Sequence, residues 1–261
     1  MRDRAFGAPG FSGLATAISG LVDLMLPLRC AGCGAPGISW CRGCARELGG
    51  PRRVHRELPA IPGAGPDPPV FALGKYRGAP RRAVVAYKAS GRRDLAEPFG
   101  RALAGGLRAL LDWAESLPAG ADPADRPSGS REGAHLRSPW YVVPAPSRTI
   151  TSRRRGGAHM TRVAHRAVEE LTALGLHASV ADCLVIRPGA RDSVGLDPAQ
   201  RLHNLSGQVL ARPSGLPPPG APVLLIDDVL TSGATLASCA HALSAGGAPT
   251  TVALLLTATP G

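Results

Sequence analysis

The chain has 261 residues, of which 44% are hydrophobic and 19% charged, and its formal net charge is +11. That length holds one large domain, or a domain plus a small module, with enough chain for a sizeable core. Aromatic residues make up only 4%, which argues against a binding surface built on many stacking platforms. The positive charge is clustered: Val70 to Arg93 carries seven Lys/Arg and no acid, and Gly133 to Val168 carries seven Arg and no acid. Such blocks favour an anionic partner such as a phosphate ligand, nucleic acid or anionic lipid, and a solvated basic face is the alternative.

Arg2 and Arg4 precede an apolar stretch, Phe11 to Leu28, that Ser12, Thr16, Ser19 and Asp23 interrupt. The stretch is short for a membrane span and no A-x-A cleavage site follows. Leu14, Ile18, Leu21, Val22 and Met25 recur at helical spacing and predict an amphipathic helix packed on the body, with membrane association as the alternative. With no export signal read, the expected location is cytoplasmic.

Cys30-Ala31-Gly32-Cys33 and Cys41-Arg42-Gly43-Cys44 follow, seven residues apart. Two C-x-x-C pairs are the usual form of a closed four-thiolate zinc site, because each pair bites the metal from one tight knuckle. A closed site of this kind is structural. A disulfide framework and a pair of redox dithiols are the competing readings. The module spans residues 1–48, and the Pro- and Gly-rich stretch 49–69 reads as a linker.

Residues 70–261 read as one α/β domain. Val70 to Tyr76 is a strand, Tyr76-Arg77-Gly78 a turn, and Arg82 to Lys88 the start of a helix or second strand. Leu95 to Trp113 is a helix with Phe99, Leu103, Leu107, Leu110 and Leu111 on one side. Residues 115–138 are polar and small and read as a flexible insertion. Trp140 to Ala145 is a buried strand that feeds Ser147, Arg148 and the run Arg153-Arg154-Arg155. A helix carrying Val163, Ala167, Leu171 and Leu174 ends at Gly175, and Ser179 to Ile186 is the next strand. Asp197 caps a short helix that starts at Pro198. Cys183 and Cys239 read as core residues.

The most informative stretch is Val223-Leu224-Leu225-Ile226-Asp227-Asp228-Val229-Leu230, continued by Thr231-Ser232-Gly233-Ala234-Thr235. Four apolar residues ending in two acids predict a strand buried on both faces, with the acids at its carboxyl end. The hydroxyl- and glycine-rich turn into a helix predicts an anion site made of free amides and the positive helix end. A ribose on the acids and a 5′-phosphate in the turn fit the two halves together. The second nucleotide motif of a P-loop ATPase has a similar strand, but it needs a G-x-x-x-x-G-K-[ST] loop upstream. The two lysines, Lys75 and Lys88, lie in no such loop. A last strand, Thr250 to Thr257, completes an alternating pattern that implies a mainly parallel sheet.

This stretch resembles the phosphoribosyl-pyrophosphate (PRPP) motif of type I phosphoribosyltransferases, with Ser232 where the motif usually has Thr. Along nearly its whole length the chain resembles the ComF family of phosphoribosyltransferase-like proteins. The residues concerned are the four cysteines after an apolar helix, Tyr76-Arg77-Gly78, Lys88, Val142-Val143-Pro144-Ala145-Pro146, Arg155-Gly156, Gly195-Leu196 through Arg201 and Asn204, and the motif itself. Two departures stand out: Gly157-Ala158-His159 replaces the usual aromatic-Asn-Gln sequence, and residues 115–138 look inserted.

The resemblance implies a Rossmann-like sheet of the type I transferase kind with a small N-terminal zinc module. It implies PRPP binding at Asp227, Asp228, Thr231, Ser232, Gly233, Ala234 and Thr235. Pyrophosphate would be met by Ser147, Arg148, Arg153, Arg154 and Arg155, whose guanidinium forks suit its oxygens, and Mg²⁺ would accompany PRPP. Zinc would sit on Cys30, Cys33, Cys41 and Cys44. Two classes of function follow. One is a PRPP-binding protein that handles single-stranded DNA with partner proteins during DNA uptake. The other is an active transferase acting on a nitrogenous base. Arg81, Arg82, Arg92 and Arg93 are the basic residues outside the inferred PRPP loop that would serve DNA.

Overall fold

The computed structural model describes residues 28–116, 138–146, 159–187 and 208–260. The amphipathic helix expected within 11–28 (save Leu28), the insertion (save its ends), the arginine-rich loop with Ser147, Arg148 and Arg153 to Arg155, and the short helix at Asp197 lie outside the described residues.

A six-stranded sheet forms the frame. Its strands are β1 (Arg52–Arg53), β2 (Val70–Lys75), β3 (Trp140–Pro144), β4 (Ala178–Val180), β7 (Val223–Leu230) and β8 (Val252–Ala258), in the order β1-β2-β8-β7-β3-β4. Every pairing is parallel except β1 with β2. The chain is thus mixed α/β with a mostly parallel sheet and a four-cysteine cluster at its N-terminal side. Strands β5 (Leu184–Ile186) and β6 (Val209–Ala211) make a separate antiparallel pair.

The helices are a short α1 (Arg42–Ala45), α2 (Gly78–Ala89), α3 (Ala96–Ser116), α4 (His159–Ala173) and α5 (Ala234–Ala245). The sequence left Arg82 to Lys88 open between helix and strand. Burial of Ala79, Ala83, Val84 and Tyr87 follows a three-to-four-residue spacing, which only a helix presents to one neighbour. The strand expected from Ser179 to Ile186 is broken in two. Its first half extends the main sheet beside β3, and its second half leaves to pair with β6. Ala181, Cys183 and Leu184 are buried across the break, so the run reads as one strand in the sequence.

The sheet buries both faces. Helices α2, α3 and α4 and the cysteine module share one cluster with Phe71, Leu73, Leu224, Ile226, Leu254 and Leu256. Helix α5 and the β5–β6 pair cover the other face, with Val223, Leu225, Ala253 and Leu255. Two-sided burial explains why β7 and β8 read as continuous apolar runs. α3 and α4 approach closely because Gly100 has no side chain: a Cβ there would lie 2.5 Å from Arg166 Cβ. Leu174, placed on the apolar face by spacing, falls past the helix end and is exposed. Gly175 takes φ +80°, as a helix-ending glycine does.

The stretch 49–69 contributes structure of its own. β1 adds to the sheet edge, and Leu58 is buried in the second cluster. No helix among the described residues is long and apolar enough to cross a membrane.

Candidate functional site

β3 is flanked by β4 on one side and β7 on the other. Its following helix, α4, packs on one face of the sheet, and the helix after β7, α5, packs on the other. The chain therefore departs in opposite directions from these two neighbouring strands. Such a switch point leaves a crevice at the strands' carboxyl ends.

Asp227 and Asp228 lie at that end of β7. β3 pairs with β7 only as far as Pro144 opposite Ile226, and the Ala145 amide bonds the Ile226 carbonyl at 2.9 Å. The sequence placed the acids at the end of their strand. In the structure β7 continues to Leu230 along β8 alone, because β8 goes on offering ladder partners through Ala258. Among the described residues, β7 thus has a strand neighbour on one side only at the acids.

Strand alternation gives the two acids different surroundings. Asp227 is in register with Leu255 and so belongs to the α5 side; Asp228 turns toward α2 and α4. Asp228 is 2% exposed. Lys88 of α2 donates from Nζ to its Oδ1 at 2.7 Å, and His159 of α4 meets its Oδ2 through Nε2 at 2.8 Å. A carboxylate only accepts, so His Nε2 carries the proton. Burial pushes the Asp228 carboxyl up, but the His159 hydrogen bond and the Lys88 charge together outweigh it and hold it below the usual range. Lys88 is raised in return by Asp228, against its own burial. Tyr87 fixes the histidine by donating from its hydroxyl to the His159 carbonyl at 2.7 Å.

Among the described residues no cation hydrogen-bonds Asp227 as Lys88 does Asp228. Asp227 is partly buried, and its Oδ1 accepts from the Asp228 amide at 2.8 Å. Burial first, and then the charge of Asp228, pushes its carboxyl up from 3.8 to about 7. The pair thus splits into a fixed, ionised acid and an adjustable one. Adjacent carboxylates with separated proton affinities often mark a functional site.

Thr231 and Ser232 are exposed, and Thr235 is partly so. Gly233 adopts φ +80°, and a Cβ there would lie 2.8 Å from Leu58 Cδ2. Both facts reserve the position for glycine. Ser232 Oγ lies 3.5 Å from the Ala234 amide, a long contact at the start of α5. Among the described residues the amides of Ser232 and Gly233 take no partner. Arg56 donates to the Thr231 carbonyl, tying this turn to the stretch read as a linker.

The cysteine cluster lies beside α2 and α3. Cys30, Cys33, Cys41 and Cys44 place their sulfurs within 4.8 Å of one another, with Cys30–Cys44 and Cys33–Cys41 each at 3.7 Å. A tetrahedron with metal–sulfur bonds of ~2.3 Å has edges of about 3.8 Å, so the four thiols fit zinc. All four are free thiols. Burial opposes ionisation of Cys30, but the amides of Cys33 and Cys41 bring it down to about 6; burial and the neighbouring thiols push Cys44 up. Gly32 is pressed into the knuckle: a Cβ there would sit 2.6 Å from Cys44 Sγ and 2.8 Å from Ala79 Cβ.

This module is braced against the helices that serve the acid pair. Arg82 of α2 donates to the Gly32 carbonyl, and Arg92 donates to the Arg29 carbonyl at 2.9 Å. Trp40 packs edge-on against Phe99 at 6.3 Å, Phe99 against Tyr87 at 5.5 Å, and Tyr87 against His159 at 5.8 Å.

The structure therefore brings together Asp227, Asp228 and the turn from Thr231 to Thr235, and separately the four cysteines. The pyrophosphate residues expected from sequence lie outside the described residues. Sequence reasoning missed the roles of His159 and Arg56. In the sequence His159 stood only as the last residue of Gly157-Ala158-His159, with no role read for it; a single arginine in a Pro-rich stretch carried no signal. Neither a scan of protein-family models nor a search of curated proteins finds a match for this chain.

Proposed function

We propose that the crevice binds PRPP or a related 5′-phosphorylated ribose, as the resemblance to the ComF family and to type I phosphoribosyltransferases implies. The observation that carries this reading is the split acid pair at the switch point, one turn from a glycine that opens the helix of an anion loop. Asp228 is held by Lys88 and His159, so Asp227 is the acid left to accept from ribose hydroxyls. The 5′-phosphate would lie against the Ser232 and Gly233 amides and the hydroxyls of Thr231 and Thr235, at the positive end of α5. Mg²⁺ belongs to the same proposal, since PRPP chelates it between ribose and pyrophosphate oxygens. Departure of pyrophosphate needs stabilisation of its charge more than it needs a protein nucleophile, which suits the arginines that the resemblance assigns to it.

The reading is that of a phosphoribosyl-binding protein linked to single-stranded DNA handling in DNA uptake. The exposed Arg81 on α2 supports a contact with phosphates. An active transferase on a nitrogenous base is the second reading, favoured by the raised Asp227 carboxyl, which is poised to exchange a proton near neutrality. Incubation with PRPP, Mg²⁺ and a panel of bases separates them. Pyrophosphate release with one base establishes the transferase. PRPP binding without release, together with salt-sensitive oligonucleotide binding, establishes the binding protein. Neither PRPP binding nor release refutes both.

A further inference from the structure

The sheet and α5 do not by themselves hold the turn from Thr231 to Thr235. Its outer edge is gripped by a residue far away in sequence. Arg56 donates from Nη1 to the Thr231 carbonyl and to Thr259 Oγ1 at 3.3 Å, and from Nη2 to the carbonyls of Thr259 at 3.1 Å and Pro260 at 2.8 Å. One planar guanidinium thus ties the turn to the chain leaving β8. Thr259 adds to this by donating its amide to the Leu230 carbonyl at 2.9 Å. Two residues on, Leu58 is buried with its Cδ2 against Gly233. The segment is anchored at its start by β1 in the sheet and by the Val54 amide on the Val70 carbonyl at 2.9 Å.

The peptide group is planar and trans, so its C=O and N–H point in opposite directions. Holding the Thr231 carbonyl toward Arg56 turns the Ser232 amide to the far edge of the same plane, away from the arginine. Leu58 then limits how Gly233, the next residue, can sit. A free turn of hydroxyl residues and glycine would sample many orientations of these amides, and fixing them on binding costs entropy.

We propose that Arg56 is the positioning residue of the anion turn: by taking the Thr231 carbonyl it pre-orients the loop amides for a phosphate, without touching the ligand itself. The inference rests on the phosphoribosyl reading of this site. An arginine is needed because its five donors reach acceptors on two chain segments at once, which a lysine ammonium on a single point cannot match.

The test is titration of ribose 5-phosphate into wild type, Arg56→Ala and Arg56→Lys, with zinc content and circular dichroism as controls. Affinity is expected to fall roughly tenfold or more in Arg56→Ala and to recover little in Arg56→Lys. Methylguanidine added to Arg56→Ala should restore binding, a rescue that a general loosening of the fold does not produce. Zinc content should be unchanged, since the cysteines pack on the other face of the sheet. If Arg56→Ala does not fold, Arg56→Lys carries the test. Wild-type binding with equal affinity in the variants, or a loss that methylguanidine leaves untouched, overturns the role of Arg56 while the site reading stands. No binding by wild type overturns both.

Discussion

Replacing Asp227 with Asn should stabilise the ligand-free protein at alkaline pH. In the folded chain burial and the neighbouring charge raise this carboxyl from 3.8 to about 7. A raised acid favours the folded state fully below its unfolded value and loses that contribution as pH rises through the folded value. Between about pH 4 and pH 7 the carboxylate therefore becomes a liability. At 1.36 kcal/mol per pH unit the full difference amounts to about 4 kcal/mol, and partial exposure of Asp227 reduces it to about 1–3 kcal/mol. Asn keeps an oxygen for the Asp228 amide, so the local hydrogen bond survives. Thermal unfolding at pH 8 should rise by roughly 2–4 °C per kcal/mol for a domain of this size, and at pH 4 it should hardly change. A lower melting temperature at pH 8, or a shift of equal size at both pH values, refutes the reasoning. Such a gain would mean that the apo fold keeps Asp227 at a cost to its own stability, as ligand-binding acids do.

Asp228→Asn should do the reverse, losing about 3 kcal/mol as Lys88 and His159 lose their carboxylate, measured by urea unfolding at pH 7. Its contribution is present above the unfolded value and disappears as pH falls through the depressed folded one, so the variant and wild type should converge in strong acid. Metal analysis should find one zinc per chain, and its removal by chelator should red-shift Trp40 emission as that ring loses its seat on Phe99. Gly233→Ala should destabilise by about 1–3 kcal/mol in chemical denaturation, since it combines positive φ with a clash on Leu58. For DNA, Arg81→Ala should flatten the salt dependence of oligonucleotide binding by about 0.7 if Arg81 reaches a phosphate. Arg82 and Arg92 are poor probes of DNA contact, because each ties the cysteine module to the domain.

The parts legible in the sequence were those with a local pattern. β7 and β8 announced themselves because burial on both faces removes polar residues for several positions in a row. The cysteines did so because a tetrahedral metal needs two tight bites, and Gly233 because one turn geometry excludes side chains. What stayed hidden depends on distant packing. Leu184 to Ile186 leaves the main sheet for β6, a choice set by a partner some 25 residues later. The two acids look equivalent in the sequence; only the placement of α2 and α4 puts Lys88 and His159 on one of them. Arg56 grips residues more than 170 positions away, beyond the reach of any periodicity.

Titration calorimetry of PRPP with Mg²⁺ at pH 8, comparing wild type with Asp227→Asn, tests the phosphoribosyl site most directly. Wild type should bind one PRPP per chain. The Asn variant should lose about 1–3 kcal/mol of binding through its charge-assisted contacts to ribose, although its fold is the more stable of the two. Equal affinities, or no binding by wild type, would contradict the assignment.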